Sequence, residues 1–307
     1  MSLRELGLLV TLGALWGVSF IFIRVSVASL GPFTLVEARV GLAALALVGY
    51  ALAFGAVGGL QVVRKRWRGF LLLGTLNAAI PFALISAAQL ELTASFGAIL
   101  NSTTPMFGAI VAAVWLGDAM TVRKASGLLL GIAGVGVLVG WSPIPLSAVV
   151  LLSIGASLAA ASFYGLGSAY AKRSFRGIPS VGMAIGQLGG AAIVTLPLAL
   201  YDVRDVRVGE LSWAVVASVV GIAFLSTTLA YLIYFRLLTS VGPTKTLTVT
   251  FLVPAFGVIL GALLLNEPIG GGTLPGLAII LASLLLVNEI RFRRGAGEPE
   301  VRSQETG

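Results

Sequence analysis

The sequence predicts an all-α integral membrane protein of ten transmembrane helices, built as two inverted five-helix repeats around a central cavity, with both termini cytoplasmic. Three observations carry this. The first is composition: 58% of the 307 residues are hydrophobic and only 10% are charged, with a mean hydropathy of +1.03. A water-soluble domain carries about 25% charged residues, so this chain has too few to cover a wetted surface. The second is that ten apolar runs can be drawn, each near the roughly 20 residues that cross the hydrocarbon as a helix. The third is an internal repeat. P-M-F-G-A-I-V-A-A-V-W-L-G-D, from Pro105 to Asp118, matches P-A-F-G-V-I-L-G-A-L-L-L-N-E, from Pro254 to Glu267, at an offset of 254 − 105 = 149 residues. The same offset carries Gly127 onto Gly276 and Ala133 onto Ala282. Each half holds an odd number of spans, so the second must enter the membrane from the opposite side, and such a repeat places a binding site midway between the halves.

The ten runs follow in order. Leu6–Leu30 ends at the Gly31-Pro32 turn, which opens Pro32–Val57. A basic connection with Arg64, Lys65, Arg66 and Arg68 precedes Gly69–Ala88. Thr93–Leu116 and Val122–Gly140 flank Arg123 and Lys124. Leu146–Ala171 begins the second half, and Lys172, Arg173 and Arg176 separate it from Pro179–Leu200. Glu210–Leu238, Gly242–Leu265 and Gly272–Ile290 complete the set. Residues 1–141 form the first repeat, residues 142–294 the second, and 295–307 a disordered cytoplasmic tail.

Ten spans leave both ends on one side. Arg4, the three basic connections, Arg236 and the C-terminal Arg291, Arg293, Arg294 and Arg302 share that side, whereas Arg204 and Arg207, near Asp202 and Asp205, stand alone on the other. The excess of Lys and Arg marks the cytoplasmic face. Basic residues precede the first, third and fifth runs of the first half and follow those of the second, which is the signature of inversion. The net charge of +8 is thereby accounted for by topology, and no nucleic acid is expected as partner. No cleavable signal peptide is expected, because the first apolar run lacks a small-residue exit.

Composition also excludes chemistry. With no Cys and no His there is no thiolate nucleophile, imidazole base or ordinary zinc site. No catalytic residue, metal or cofactor is expected. No Gly-x-x-x-x-Gly-Lys-Ser/Thr loop occurs, so the chain does not itself use ATP. The dispersed acidic residues and the lack of a D-D-x-x-D motif argue against an intramembrane enzyme; a channel remains the third class.

The chain resembles the EamA-type transporters of the drug/metabolite transporter superfamily. The residues that carry the resemblance are A-L-W-G-V-S-F-I-F-I-R at Ala14–Arg24, Arg39 in the second run, and A-S-x-x-A-x-x-x-S-x-x-P at Ala94–Pro105. L-G-D at Leu116–Asp118 and L-N-E at Leu265–Glu267 stand where the family has L-G-E. The resemblance covers nearly the whole chain. It implies ten helices in two inverted repeats moving small metabolites across the cell (inner) membrane. Members include exporters of amino acids, among them YddG-type aromatic amino acid exporters, and carriers of nucleotide sugars and cationic drugs. The expected partners are therefore the bilayer and a small molecule, most simply an amino acid, with a monomer favoured.

Several residues are candidates for the pathway. Pro105 and Pro254 lie inside long runs, where each displaces the carbonyl four residues earlier, that of Asn101 or Thr250. Thr104 and other hydroxyl residues crowd these points. Polar groups of this kind avoid lipid, so the two bends either line a cavity and act as hinges or merely satisfy their own kinks. Asn77 maps onto Ser226, and Trp16 and Tyr164 are related by the repeat; with Tyr231 they form either aromatic packing or the wall of an apolar site. Lys245 either snorkels to the headgroups or meets a substrate carboxylate. Arg24, Glu37 and Arg39 lie at similar depth across the Gly31-Pro32 turn, and a structural Arg24–Glu37 ion pair is expected; Glu37 and Arg39 point about 200° apart on their helix. Small-residue ladders, Gly13/Gly17, Gly127/Gly131, Gly182/Gly186/Gly190 and Gly257/Gly261, mark helix contacts.

Overall fold

The computed structural model describes residues 1–56, 58–142 and 144–288, and every regular element among them is helical. The expected tail at 295–307 and the last two residues of the tenth run lie outside the described residues. Eight helices are long and apolar enough to cross a membrane: α1 (Leu3–Leu30), α2 (Pro32–Ala53), α3 (Trp67–Ala88), α4 (Ala94–Leu116), α5 (Val122–Gly140), α6 (Ala148–Ser174), α7 (Ser180–Asp205) and α8 (Trp213–Ser240). Two shorter apolar helices, α9 (Val249–Leu265) and α10 (Thr273–Val287), occupy the ninth and tenth runs. The basic connection before α3 is also helical, over Gly58–Lys65. Its Gly59 lies so close to Gly182 of α7 that a Cβ there would sit 2.9 Å from the Gly182 Cα.

Local chemistry sets the helix limits. Ser2 and Glu5 form a reciprocal capping box at the start of α1. Thr93, Thr121, Ser147 and Ser212 each accept a hydrogen bond from the backbone N–H three residues on, at 3.2, 3.2, 3.2 and 3.3 Å, starting α4, α5, α6 and α8. The far ends of α4 and α9 close alike. Gly117 and Asn266, related by the 149-residue offset, are both left-handed, with φ of 73° and 52°. The next N–H in each case, Asp118 or Glu267, returns to the carbonyl six residues back, Ala112 or Gly261, at 3.1 and 3.2 Å. Asn tolerates the left-handed region, which is why L-N-E can stand where its mate reads L-G-D.

The glycine ladders serve packing within the chain. A Cβ on Gly13 or Gly17 of α1 would meet Leu252 or Phe256 of α9 at 2.6 Å. A Cβ on Gly165 of α6 would meet Gly108 N and Phe107 C of α4, the corresponding pair under the repeat, at 3.0 and 3.1 Å. Gly186 and Gly190 of α7 accept Phe70 of α3, and Gly127, Gly131 and Gly134 of α5 take Val287, Ser283 and Ile280 of α10. Helices α1–α4 and α6–α9 interlock across the halves: α1 on α8 and α9, α6 on α3 and α4, α2 on α7 and α8, and α7 on α2 and α3. Helix α10 packs chiefly on α5, beside this core.

Two pairs of helices depart from regular geometry where the repeat relates them. Helix α3 contains a π-helical turn at Thr75–Ala79, and α8 a longer one at Gly221–Leu229. The offset carries 75–79 onto 224–228, inside the second. Single π turns concentrate at functional sites because they turn side chains out of the α-helical register. The other pair is α4 and α9. Helix α4 is interrupted at Ser102–Thr103, and the ninth run at Leu247–Thr248, between the short helix Pro243–Thr246 and α9. Pro105 sits in the first turn after the break, where its missing N–H costs nothing. Pro254 lies inside continuous helix, so the second interruption falls ahead of its proline rather than at it.

Candidate functional site

Polar and aromatic groups converge between α2, α3, α6, α7 and α8. Asn77, on the π turn of α3, donates from Nδ2 to Gln187 Oε1 of α7 at 2.8 Å. Gln187 Nε2 in turn donates to the Tyr231 hydroxyl of α8 at 2.8 Å. This side-chain relay joins both halves of the chain. Gly167 on α6 gives it room, since a Cβ there would lie 2.6 Å from that of Asn77. Aromatic rings extend the cluster. Tyr231 contacts Phe235 (centroids 5.8 Å apart), Phe235 contacts Tyr234 (5.4 Å), and Tyr234 contacts Trp16 of α1 (5.6 Å). Tyr164 of α6 meets Phe82 of α3 edge to face at 6.3 Å. Trp16, Asn77, Tyr164, Tyr231 and Tyr234 all stay partly exposed.

Arg39 stands beside this cluster. It is 7% exposed, its guanidinium lies 3.7 Å over the Phe82 ring, and its Nε donates to Thr227 Oγ1 on the π segment of α8 at 3.0 Å. Thr227 Oγ1 itself donates to the Ile222 carbonyl at 2.7 Å, five residues back in the π register. The expected Arg24–Glu37 ion pair is not formed. Arg24 Nη1 donates to the carbonyls of Gln89 and Leu90 at 2.6 and 2.9 Å, closing the C-terminal end of α3. Glu37 accepts from Thr195 Oγ1 of α7 at 2.5 Å. Helices α3 and α7 offer the two charges other partners. The salt bridges among the described residues, Lys172–Asp118 and Arg207–Glu210, are peripheral.

At the α4 interruption, Ser102, Thr103 and Thr104 each donate to the carbonyl three residues back, at 2.6, 2.7 and 2.7 Å. The Asn101 carbonyl expected to be free is thus satisfied by Thr104, because a threonine one residue before the proline reaches it. The Asn101 side chain is different: its Oδ1 is sealed and without a partner. In the ninth run, Thr246, Thr248 and Thr250 donate to Gly242, Lys245 and Leu247 at 2.8, 2.6 and 2.8 Å. Lys245 is exposed on the short segment Pro243–Thr246, and among the described residues no hydrogen bond joins its side chain or that of Thr250 to the relay. The relay's central member, Gln187, was not singled out in the sequence. Its signal was a lone amide in the glycine-rich stretch Gly186–Gly190.

The carboxylates that close α4 and α9 behave differently. Glu267 crosses to the start of α4, accepting from the N–H groups of Ala94 and Ser95 at 2.6 and 2.9 Å and from Ser95 Oγ at 2.5 Å. Asp118, its counterpart under the repeat, is 44% exposed and meets Lys172 at 3.6 Å. Asp202 performs a similar service for α2, accepting from Phe33 and Thr34 N–H at 3.0 and 3.3 Å.

Comparison with known proteins adds to this geometry. A family model described as the EamA-like transporter family matches twice, over residues 3–140 and 151–289. An uncharacterized transporter YvbV of Bacillus subtilis (strain 168) is 26% identical over 285 residues, covering 92% of this chain and 90% of the relative. A probable amino-acid metabolite efflux pump of Salmonella typhimurium is 25% identical over 311 residues, covering 96% and 99%. A solved structure described as "Crystal structure of protein" superposes with a TM-score of 0.64 at 17% identity, covering 93% of this chain and 96% of the other, which speaks to the fold alone.

Proposed function

This chain belongs to the EamA-like transporter family, and from that membership we propose that it is a secondary transporter that exports amino acids, including aromatic and other apolar ones, by alternating access. It is a multi-pass membrane transporter rather than an enzyme. In this reading the ten apolar helices all span the cell (inner) membrane as two inverted five-helix repeats, with both termini cytoplasmic. The cavity between the halves is the pathway. Trp16, Asn77, Tyr164, Tyr231 and Gln187 form its wall, and Asn101, Thr104, Lys245 and Thr250 line its approach along α4 and the ninth run. Pro105 and Pro254 mark the segments that bend. The protein acts as a monomer, since its glycine ladders are occupied by its own helices.

The observation that carries the reading is the Asn77–Gln187–Tyr231 relay, a polar chain between the halves surrounded by partly exposed rings. Polar side chains at that depth belong at a substrate path or a packed polar contact, and the open space beside them favours the path. The unequal engagement of Glu267 and Asp118 supports alternation. One carboxylate clasps its opposing helix while its counterpart is held away by Lys172, as two gates in antiphase would be. The relative of Salmonella typhimurium named an amino-acid metabolite efflux pump supports the substrate class.

A thermal-shift screen of detergent-solubilised protein against amino acids and related metabolites tests this reading. A true ligand stabilises the native state by mass action, by about 2.7 kcal/mol at a hundredfold excess over Kd. At least one amino acid is expected to raise Tm, and Asn101→Ala and Lys245→Ala to diminish that rise. Retention of the full rise in both variants would remove these residues from the lining.

A further inference from the structure

We infer that Arg39 is the anion-recognising group of the central cavity, and that the cargo is a monocarboxylate whose apolar portion packs on Phe82, Tyr164 and Tyr231. This deepens the transporter reading and rests on it. The observation is a buried cation without a counter-ion. Arg39 is 7% exposed, and of its five N–H donors only the Nε–H has an acceptor, Thr227 Oγ1 at 3.0 Å. The Nη groups make no hydrogen bond among the described residues, and neither is among the sealed, unpartnered side-chain atoms, so both face accessible space. Among the described residues no carboxylate forms an ion pair with it: Glu37, two residues away, is turned to Thr195 on α7, and Arg24 is engaged with the Gln89 and Leu90 carbonyls.

Such an arrangement is unfavourable for the empty protein. Taking a guanidinium out of water is costly unless an opposing charge and full hydrogen bonding repay it, and ionisable groups at this depth in a membrane protein are paired or mark the path of a substrate. The Phe82 ring, 3.7 Å below the guanidinium, supplies part of the compensation but uses none of its donors. The Nε contact to Thr227 fixes the plane of the fork and leaves its Nη edge for a bidentate partner, which is carboxylate geometry. One positive charge with no second cation in contact suits a monoanion better than a dianionic phosphate. The rings beside it define the rest of the ligand: Phe82 touches Tyr164, and Tyr231 lies one turn beyond Thr227 on α8. The partial exposure of Tyr164 and Tyr231 shows that the site is not sealed.

The test compares L-phenylalanine and L-leucine with their uncharged-carboxyl amides, together with a set of amines and neutral sugars, by thermal shift on wild type, Arg39→Gln and Arg39→Lys. The carboxylates are expected to raise the wild-type Tm and the amides not. Arg39→Gln should lose the carboxylate-dependent rise while its ligand-free Tm matches or exceeds that of wild type, because an uncompensated charge has been removed. Arg39→Lys keeps the charge without the fork and should bind at least tenfold more weakly. Equal shifts from acid and amide overturn the inference, as does a ligand-free Arg39→Gln that unfolds well below wild type while Arg39→Lys binds normally. If amines or sugars alone stabilise the protein, the carboxylate assignment falls and the transporter reading stands. If no solute of any class stabilises it, both fall.

Discussion

The charged residues of the first two helices show how far a side chain's partner can be inferred from spacing. Arg24 and Glu37 are expected at similar depth from their spacing about the Gly31-Pro32 turn, yet Arg24 closes the end of α3 through two carbonyls and Glu37 receives the Thr195 hydroxyl. The turn itself was legible, with α1 ending at Leu30 and α2 beginning at Pro32. Azimuth against a third helix was not, since backbone carbonyls at a helix end leave no mark in the sequence. The geometry makes a quantitative statement: in a double-mutant cycle of Arg24→Gln and Glu37→Gln, read by denaturant or thermal unfolding, the coupling energy should lie within about 0.5 kcal/mol of zero, as for residues that share no partner. A coupling of about 2 kcal/mol would restore the ion pair. Asn101, Tyr164 and Tyr231 were legible as polar or amphipathic groups in apolar runs. Gln187, which bonds to both Asn77 and Tyr231, was not legible because it sits among glycines that read as packing.

At the scale of elements, the repeat conserves geometry more faithfully than residue type. Gly117 and Asn266 take the same left-handed conformation, and the π segments of α3 and α8 fall at related positions although Thr75–Ala79 and 224–228 share little sequence. The helix limits were legible because Ser, Thr, Gly and Pro punctuate them; the π turns were not, because apolar runs containing one extra residue per turn look like ordinary spans. The prolines were visible, but the position of the second break was not. It lies in a stretch where the Thr246, Thr248 and Thr250 hydroxyls bond back to the same carbonyls as their own backbone N–H groups, a local pattern that competes with regular helix. Close packing gives a sharper expectation. Gly17→Leu drives a side chain into Phe256 and the Val253 carbonyl, whereas Gly49→Leu meets nothing within 4 Å. Overpacking of a tight site costs about 1–3 kcal/mol or more, so Gly17→Leu should lower Tm or abolish folded yield in detergent while Gly49→Leu behaves as wild type. Equal tolerance of the two would mean that α1 and α9 do not approach as closely as described.

The whole molecule joins these levels. Composition alone set the class, and the 149-residue offset marked two related halves, each matched by the family model; what the three-dimensional arrangement adds is how the halves meet. Helix α1 rides on α8 and α9 as α6 rides on α3 and α4, so contacts between the halves come in related pairs, and a polar relay drawn from both halves occupies the middle. In the proposed alternating-access cycle, an inverted arrangement would expose the same central groups to each side in turn by exchanging the conformations of its halves. On that proposal the Glu267 clasp on α4 and the exposed Asp118 would represent one of the two states. The most direct test is counterflow in proteoliposomes loaded with an unlabelled amino acid and supplied externally with trace label, wild type beside Gln187→Leu. The prediction is saturable accumulation of label by wild type for at least one amino acid, reduced about tenfold or more in Gln187→Leu, which strips two hydrogen bonds from the relay at roughly 0.5–1.5 kcal/mol each. No exchange of any amino acid across a full panel, or exchange by Gln187→Leu at the wild-type rate, would contradict it.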